Sequence, residues 1–331
     1  MSKDYGNKRP MHGGGEGGKG FGPGGRKFGS AGRKFGQGKP GQAAPYKRPF
    51  AGKGGLPPRP TFVPKSGQPA PAIGGEFGTS WEHVAQWYDR MVGDEGSDYH
   101  RNVLLPATLR LLDPKPTHKL LDLCCGQGVL SRLLAPLVAQ VVGVDLSRAL
   151  IESARQRTES KNVRYEVADA RKLGALADGT FDTAACVMAV HDVDDLPALM
   201  RSLAAALKTG GHAVLVFMHP CFRIPRQSSW GWDDLHKTQY RRVDRYITPL
   251  GIPISTHPGS DPSEHTHFFH RPISEYLNAL GAAGLAVTAC EELAGHRESE
   301  PGPRARAENR SRREIPIFLA LRAVKTADNR P

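Results

Sequence analysis

Residues 120–128, Leu-Leu-Asp-Leu-Cys-Cys-Gly-Gln-Gly, read as a short buried strand running into a glycine turn. Asp145 follows Gly128 by seventeen residues and closes a second apolar run, Val-Val-Gly-Val-Asp. Strand, glycine turn, helix and a second strand ending in a carboxylate form the βαβ unit of a doubly wound sheet. Such a unit suits a nucleoside. Backbone amides at the helix start hold an anionic group, and the carboxylate takes ribose hydroxyls. A dinucleotide fingerprint requires a third glycine where Ser131 stands, which disfavours NAD.

The pattern continues downstream. A third strand-like run, Val163–Val167, leads to Asp169-Ala170, where a carboxylate can accept a hydrogen bond from an adenine amino group. Residues 181–190 are almost wholly apolar, as a strand buried on both faces should be. A helix with Leu196, Leu199, Met200, Leu203 and Leu207 on one stripe then reaches Gly210-Gly211 and a fifth strand over 213–218. Trp81, Val84, Ala85, Tyr88 and Met91 recur at helical spacing ahead of the first strand. Val129, Leu130, Leu133, Leu134 and Leu137 do the same after the glycine turn. Ser147 is placed to cap the next helix, and Pro197 suits the first turn of its own. Near the C-terminus, 272–280 reads as a helix with Ile273, Tyr276, Leu277 and Leu280 inward. Residues 286–290 and 315–324 read as two strands joined only by a loop, hence antiparallel neighbours.

This succession resembles the class I S-adenosylmethionine-dependent methyltransferases, in particular the small-molecule group that includes quinone-biosynthesis enzymes. The resemblance covers roughly Trp81 to Lys325. It implies an α/β fold with a doubly wound, mostly parallel seven-stranded sheet, in the order 3-2-1-4-5-7-6 with the last strand antiparallel. It implies S-adenosyl-L-methionine as cofactor. Asp122, Cys124, Gly126, Gly128, Asp145, Leu146, Asp169 and Ala170 would form the cofactor site. Tyr88 would either face that site or belong to the core. Cys124 departs from the family pattern, which has a glycine there.

Charge divides the chain. Residues 1–75 hold fourteen lysines or arginines against Asp4 and Glu16, the whole of the net +12, while the remainder has 31 basic and 31 acidic residues. Twenty-one of the 38 glycines lie in the same segment. With so little apolar surface to bury, 1–78 is expected to be a disordered basic tail and linker, and 79–331 the folded domain. Gly-Arg-Lys-Phe-Gly occurs at 25–29 and 32–36, a cationic, phenylalanine-spaced pattern that suits RNA or another polyanion. No apolar run is long enough for a signal peptide or membrane span, and five cysteines without a C-x-x-C fit a reducing, cytoplasmic setting.

About fifty residues separate the fifth strand from the helix at 272, longer than a connection requires, and 220–270 reads as a substrate lid. Histidine suits proton removal from an acceptor at neutral pH, and His191, His219 and His270 all follow or flank strand ends where the crevice should lie. Arg223, Trp230 and Arg271 are candidate substrate contacts. His265, His267 and His270 lack a companion ligand at convincing spacing, so no metal is assigned. The arginine-rich run 301–313 reads as an exposed loop. The function expected is methyl transfer to a small molecule. The rivals are an RNA methyltransferase tethered by its tail and a non-catalytic cofactor-binding protein.

Overall fold

The structure, a computed structural model, describes residues 81–255 and 265–327. The expected tail, 1–78, lies outside the described residues. The central sheet begins with β1 (Lys119–Leu123), β2 (Gln140–Asp145), β3 (Val163–Val167), β4 (Phe181–Val187) and β5 (Leu207–Met218). It is completed by β10 (Leu285–Leu293) and β11 (Phe318–Lys325), in the order β3-β2-β1-β4-β5-β11-β10. The first five strands pair in parallel, and β11 runs antiparallel to both its neighbours. With the lid strands set aside, this is the expected order.

Period-two patterning builds two cores, one on each face of the sheet. Leu121, Leu215 and Phe217 face one layer, where α5 (Leu196–Ala206) and α6 (Ile273–Ala282) contribute Leu199, Met200, Leu203, Tyr276 and Leu280. Phe217 and Tyr276 stack with ring centroids 4.6 Å apart. On the other face, Leu120, Val214 and Val216 meet α2 (Leu105–Leu112) and α3 (Val129–Leu134) through Leu105, Leu112, Leu130 and Leu134. Leu133, within α3, and Leu137, beyond its end at Leu134, stay exposed, so the stripe does not extend as one buried face. Leu277 and Met91 are exposed too, each at the edge of its apolar stripe rather than its centre.

Helix α1 (Ala85–Val92) is held to α4 (Arg148–Gln156) and the residues just beyond it. Asp89 takes two bonds from the Arg157 guanidinium, at 2.9 and 2.7 Å, and one from Ser153 Oγ at 2.7 Å. Ser147 caps α4 as expected, its Oγ accepting from the Leu150 amide at 3.2 Å. That hydroxyl in turn donates to Glu82 at 2.5 Å, which ties the turn before α1 to the same helix end.

Two elements were not apparent from the sequence. The arginine-rich run is not a loop but α7 (Ala305–Glu314), so a helix, not a loop alone, joins β10 to β11. Residues 304–314 contain no glycine or proline and are rich in Arg, Ala and Glu, good helix formers. Ser311 Oγ anchors the helix by donating to the Gln239 carbonyl at 2.8 Å. The expected lid is two antiparallel hairpins: β6 (Ser228–Asp233) with β7 (Thr238–Val243), and β8 (Leu250–Ser255) with β9 (His265–His270). Ile224, Ile252 and Phe268 form a small core beneath them. No helix of the described residues is long and apolar enough to cross a membrane.

Candidate active site

The carboxyl ends of β1 to β5 open into one cavity of about 760 Å³. It is floored by the strand ends, flanked by Trp81 and Tyr88, and roofed by Arg241, Ile254, Phe268 and Phe269 of the hairpins. Ligands of doubly wound sheets bind in this position.

The loop after β1 carries its conformation in the backbone. Cys124, Gly126 and Gly128 all have positive φ, at 58°, 56° and 83°. Cys124 therefore adopts the left-handed geometry that glycine takes freely, at a cost of about 1–2 kcal/mol for a side chain. Met188, at the end of β4, is also left-handed at 60° and also lines the cavity. Strained residues at two facing strand ends are what a ligand-gripping crevice leads one to expect. Gly128 has a further reason to be glycine: a Cβ there would collide with the Tyr165 hydroxyl, whose ring also lies over Gly143.

Asp145 closes β2 in the cavity wall. One of its oxygens accepts the Gly126 amide at 2.9 Å, and the other accepts the Ser147 amide at 2.9 Å. Burial pushes its carboxyl upward, against the opposing effect of those amides. Its remaining lone pairs suit a vicinal diol, since a carboxylate has about four acceptor sites. Leu146 and Ala170 line the cavity beside it. Asp169 is there too, but its carboxylate already holds Arg171 through Nε at 3.0 Å and Nη2 at 2.7 Å. Despite burial, those bonds keep it below the usual carboxylate range. An adenine amino group would thus meet a carboxylate pinned by arginine.

Asp122 is placed differently. It is buried beneath the loop, outside the cavity lining, and accepts Ser131 Oγ at 2.6 Å. Ser131, which breaks the dinucleotide glycine pattern, thus fastens α3 to the end of β1. Tyr88 lines the cavity against Gly126, and its phenol is driven up chiefly by burial and by Asp145.

The three candidate histidines separate. His191 lines the cavity, 3% exposed, with its Nδ1 lacking a hydrogen-bond partner and its ring 4.7 Å from that of Phe268. Burial, then the charges of Arg223 and Arg271, bring its pKa down to about 3, so it is neutral. His219 lies outside the lining: Nδ1 accepts the Cys221 amide at 3.2 Å, leaving Nε2–H to donate to Glu292 at 2.9 Å. His270 is also outside it and donates Nε2–H to the Tyr246 carbonyl at 2.6 Å. Of the substrate candidates, Arg223 lines the cavity. Arg271 instead donates to the Val193 and Asp194 carbonyls, and Trp230 lies under the Arg241 guanidinium. Asp192, Met188, Arg241 and Phe268 are cavity residues that the sequence did not single out. Partial burial raises the Asp192 carboxyl above the ordinary range, opposed by a hydrogen bond from Trp81.

Comparison with known proteins agrees with this geometry. The methyltransferase-domain family matches residues 121–215. A 2-phytyl-1,4-naphtoquinone methyltransferase of Synechococcus elongatus is 32% identical over 177 residues, 51% of this chain and 71% of that protein. A ubiquinone biosynthesis O-methyltransferase of Xanthomonas campestris is 38% identical over 131 residues, 38% of this chain and 53% of its own. The crystal structure of an S-adenosylmethionine-dependent methyltransferase from Mesorhizobium loti superposes with a TM-score of 0.52 at 29% identity, covering 66% of this chain and 96% of that one. The chain belongs to the class I S-adenosylmethionine-dependent methyltransferases. Its cofactor is S-adenosylmethionine, and the residues present fit it: a half-buried carboxylate, Asp145, and a glycine, Gly126, where a Cβ would crowd Tyr88 in the same cavity.

Two outcomes follow. Gly128→Ala, with φ of 83° and no room for a methyl, should weaken S-adenosylmethionine binding at least tenfold by calorimetric titration. Unchanged affinity would show that the loop is not the cradle. The second concerns Asp122, whose carboxyl burial pushes up to about 6 from 3.8. Its stabilising contribution is therefore complete below pH 3.8 and lost as pH rises through 6. Relative to the parent, Asp122→Asn should gain stability between pH 4 and pH 7, by up to about 3 kcal/mol in urea titrations. A pH-independent difference would contradict that burial.

Proposed function

We propose that this enzyme methylates a small, largely apolar acceptor, of the quinol kind that the names of its relatives suggest. One observation carries the reading: a single cavity runs from the Asp145 wall to a chamber of Met218, Ile224, Ile254, Phe268, Phe269 and Phe318. Cofactor and acceptor would thus share one cavity. Bringing the reacting atoms to about 3–3.5 Å with water excluded is the main demand of this chemistry.

S-adenosylmethionine supplies an electrophilic methyl on a sulfonium and leaves as the thioether. Around it, Asp145 would take the ribose diol, the Gln127 amide at the turn before α3 the carboxylate, since the Gly126 and Gly128 amides are held by Asp145 and the Cys125 carbonyl, and Asp169 with Ala170 the adenine edge. Asp122 acts through Ser131 to fix the loop. Tyr88 and Trp81 would close the site against solvent. His191 is the assigned acceptor contact: its neutral Nδ1 has no protein partner and would accept a hydrogen bond from the acceptor hydroxyl, the ring turning to bring this buried atom into the cavity. The hydroxyl proton passes to solvent as the new C–O bond forms, because burial and the charges of Arg223 and Arg271 disfavour an imidazolium at His191. His219 and His270, with both or one nitrogen held by the protein, serve to brace the floor of the lid.

The folded unit is proposed to run over 79–331, with 1–78 as a basic extension and a reducing, cytoplasmic setting for the five free thiols. The test is transfer of labelled methyl from S-adenosylmethionine into a cell extract separated into RNA, protein and small molecules. Label should enter the small-molecule fraction; label confined to RNA would overturn the reading in favour of the tail as tether. With an acceptor in hand, His191→Ala should lower kcat at least tenfold without weakening cofactor binding. The parent kcat/KM should show no inflection from His191 near pH 6.5, because burial has moved that group down to about 3.

A further inference from the structure

Charge on the cavity wall is unevenly matched. Arg171 is fully engaged, with Asp169 at 2.7 Å and Asp194 at 2.6 Å. Asp145 is committed to backbone amides, and burial holds Asp192 toward its neutral form. Among the described residues, two guanidiniums on the acceptor side have no carboxylate partner. Arg223 lies over the Phe318 ring, its guanidinium carbon 5.2 Å from the centroid, and among the described residues no carboxylate pairs with it. Arg241 reaches the same chamber from β7, its guanidinium 5.1 Å over Trp230. Its Nε donates to the Phe222 carbonyl at 2.7 Å and one Nη to Ser228 Oγ at 2.8 Å. The first of these bonds is to the residue next to Arg223, so the two cations are held as neighbours by the backbone. Burial disfavours the charge on both, and Arg223 adds to the effect on Arg241.

Arginines are always charged, and a neutral ligand filling this chamber would strip both of water without replacing it. A carboxylate matches the guanidinium fork, and the aromatic and aliphatic walls match an apolar body. We propose that the acceptor is an amphipathic acid: an apolar small molecule whose carboxylate, not itself methylated, seats between Arg223 and Arg241 while another atom of it faces the methyl. This rests on the reading of the cavity as the acceptor site. It goes further by naming the acceptor's charge and the residues that select for it.

The experiment uses the full chain with labelled S-adenosylmethionine and a small-molecule extract of the source cells. The labelled product is passed over an anion exchanger at pH 8 and treated with mild base. Retention on the exchanger with a base-stable label is expected. In Arg223→Met and Arg241→Met, the amount of extract giving half-maximal rate should rise at least tenfold, with S-adenosylhomocysteine affinity, measured alongside, unchanged. A neutral product, a base-labile methyl ester, or variants with the parent's half-saturation would overturn the proposal while leaving small-molecule methylation intact. Absence of any small-molecule label would instead overturn the reading on which it rests.

Discussion

The carboxylate of Asp145, shared between the amides of Gly126 and Ser147, is the interaction on which the rest of the site depends. It ties the loop after β1 to the turn after β2, so two adjacent strand ends present a single surface. The same turn is joined to the residues before α1 through Ser147 and Glu82. A polar group half-buried at a strand end is tolerated when its bonds are made, and here backbone amides make them. Loop strain at Cys124 and the close packing of Gly128 on Tyr165 are sustained by that anchoring.

Much of this was legible in the sequence because it is local or periodic. Apolar runs of strand length, glycines at a turn and a carboxylate at a strand end fix β1, β2 and their helix without knowledge of the rest. Ser147 as a cap followed equally from a short-range pattern, whereas the antiparallel close of β10 and β11 was expected from a loop alone between them and holds although α7 intervenes. The absent third glycine was read only as evidence against a dinucleotide. The bond between Ser131 and Asp122 gives it a positive role, fixing a helix to a strand nine residues earlier.

What the sequence hid was set by contacts distant along the chain. Arginine density in 301–313 suggested solvent, yet α7 forms because propensity favours it and Gln239, on the β6–β7 hairpin, offers an anchor. Three histidines near strand ends were equivalent in sequence. The structure separates them by their surroundings: His219 is held by a carboxylate and an amide and His270 by a carbonyl, while His191 lines the cavity with its Nδ1 unpartnered. Arg223 and Arg271 looked alike for the same reason. One is spent on backbone carbonyls and the other faces the chamber.

The most direct test of the central claim is calorimetric titration of S-adenosylhomocysteine into the parent chain and into Asp145→Ala, with circular dichroism to confirm that both are folded. The account predicts one site in the parent and a loss of at least tenfold in affinity in the folded variant. This is the effect expected from removing charge-assisted bonds worth about 1.5–3 kcal/mol each. A folded variant that binds as tightly as the parent would mean that the cofactor is held elsewhere, and that the crevice at the ends of β1 and β2 is not its site.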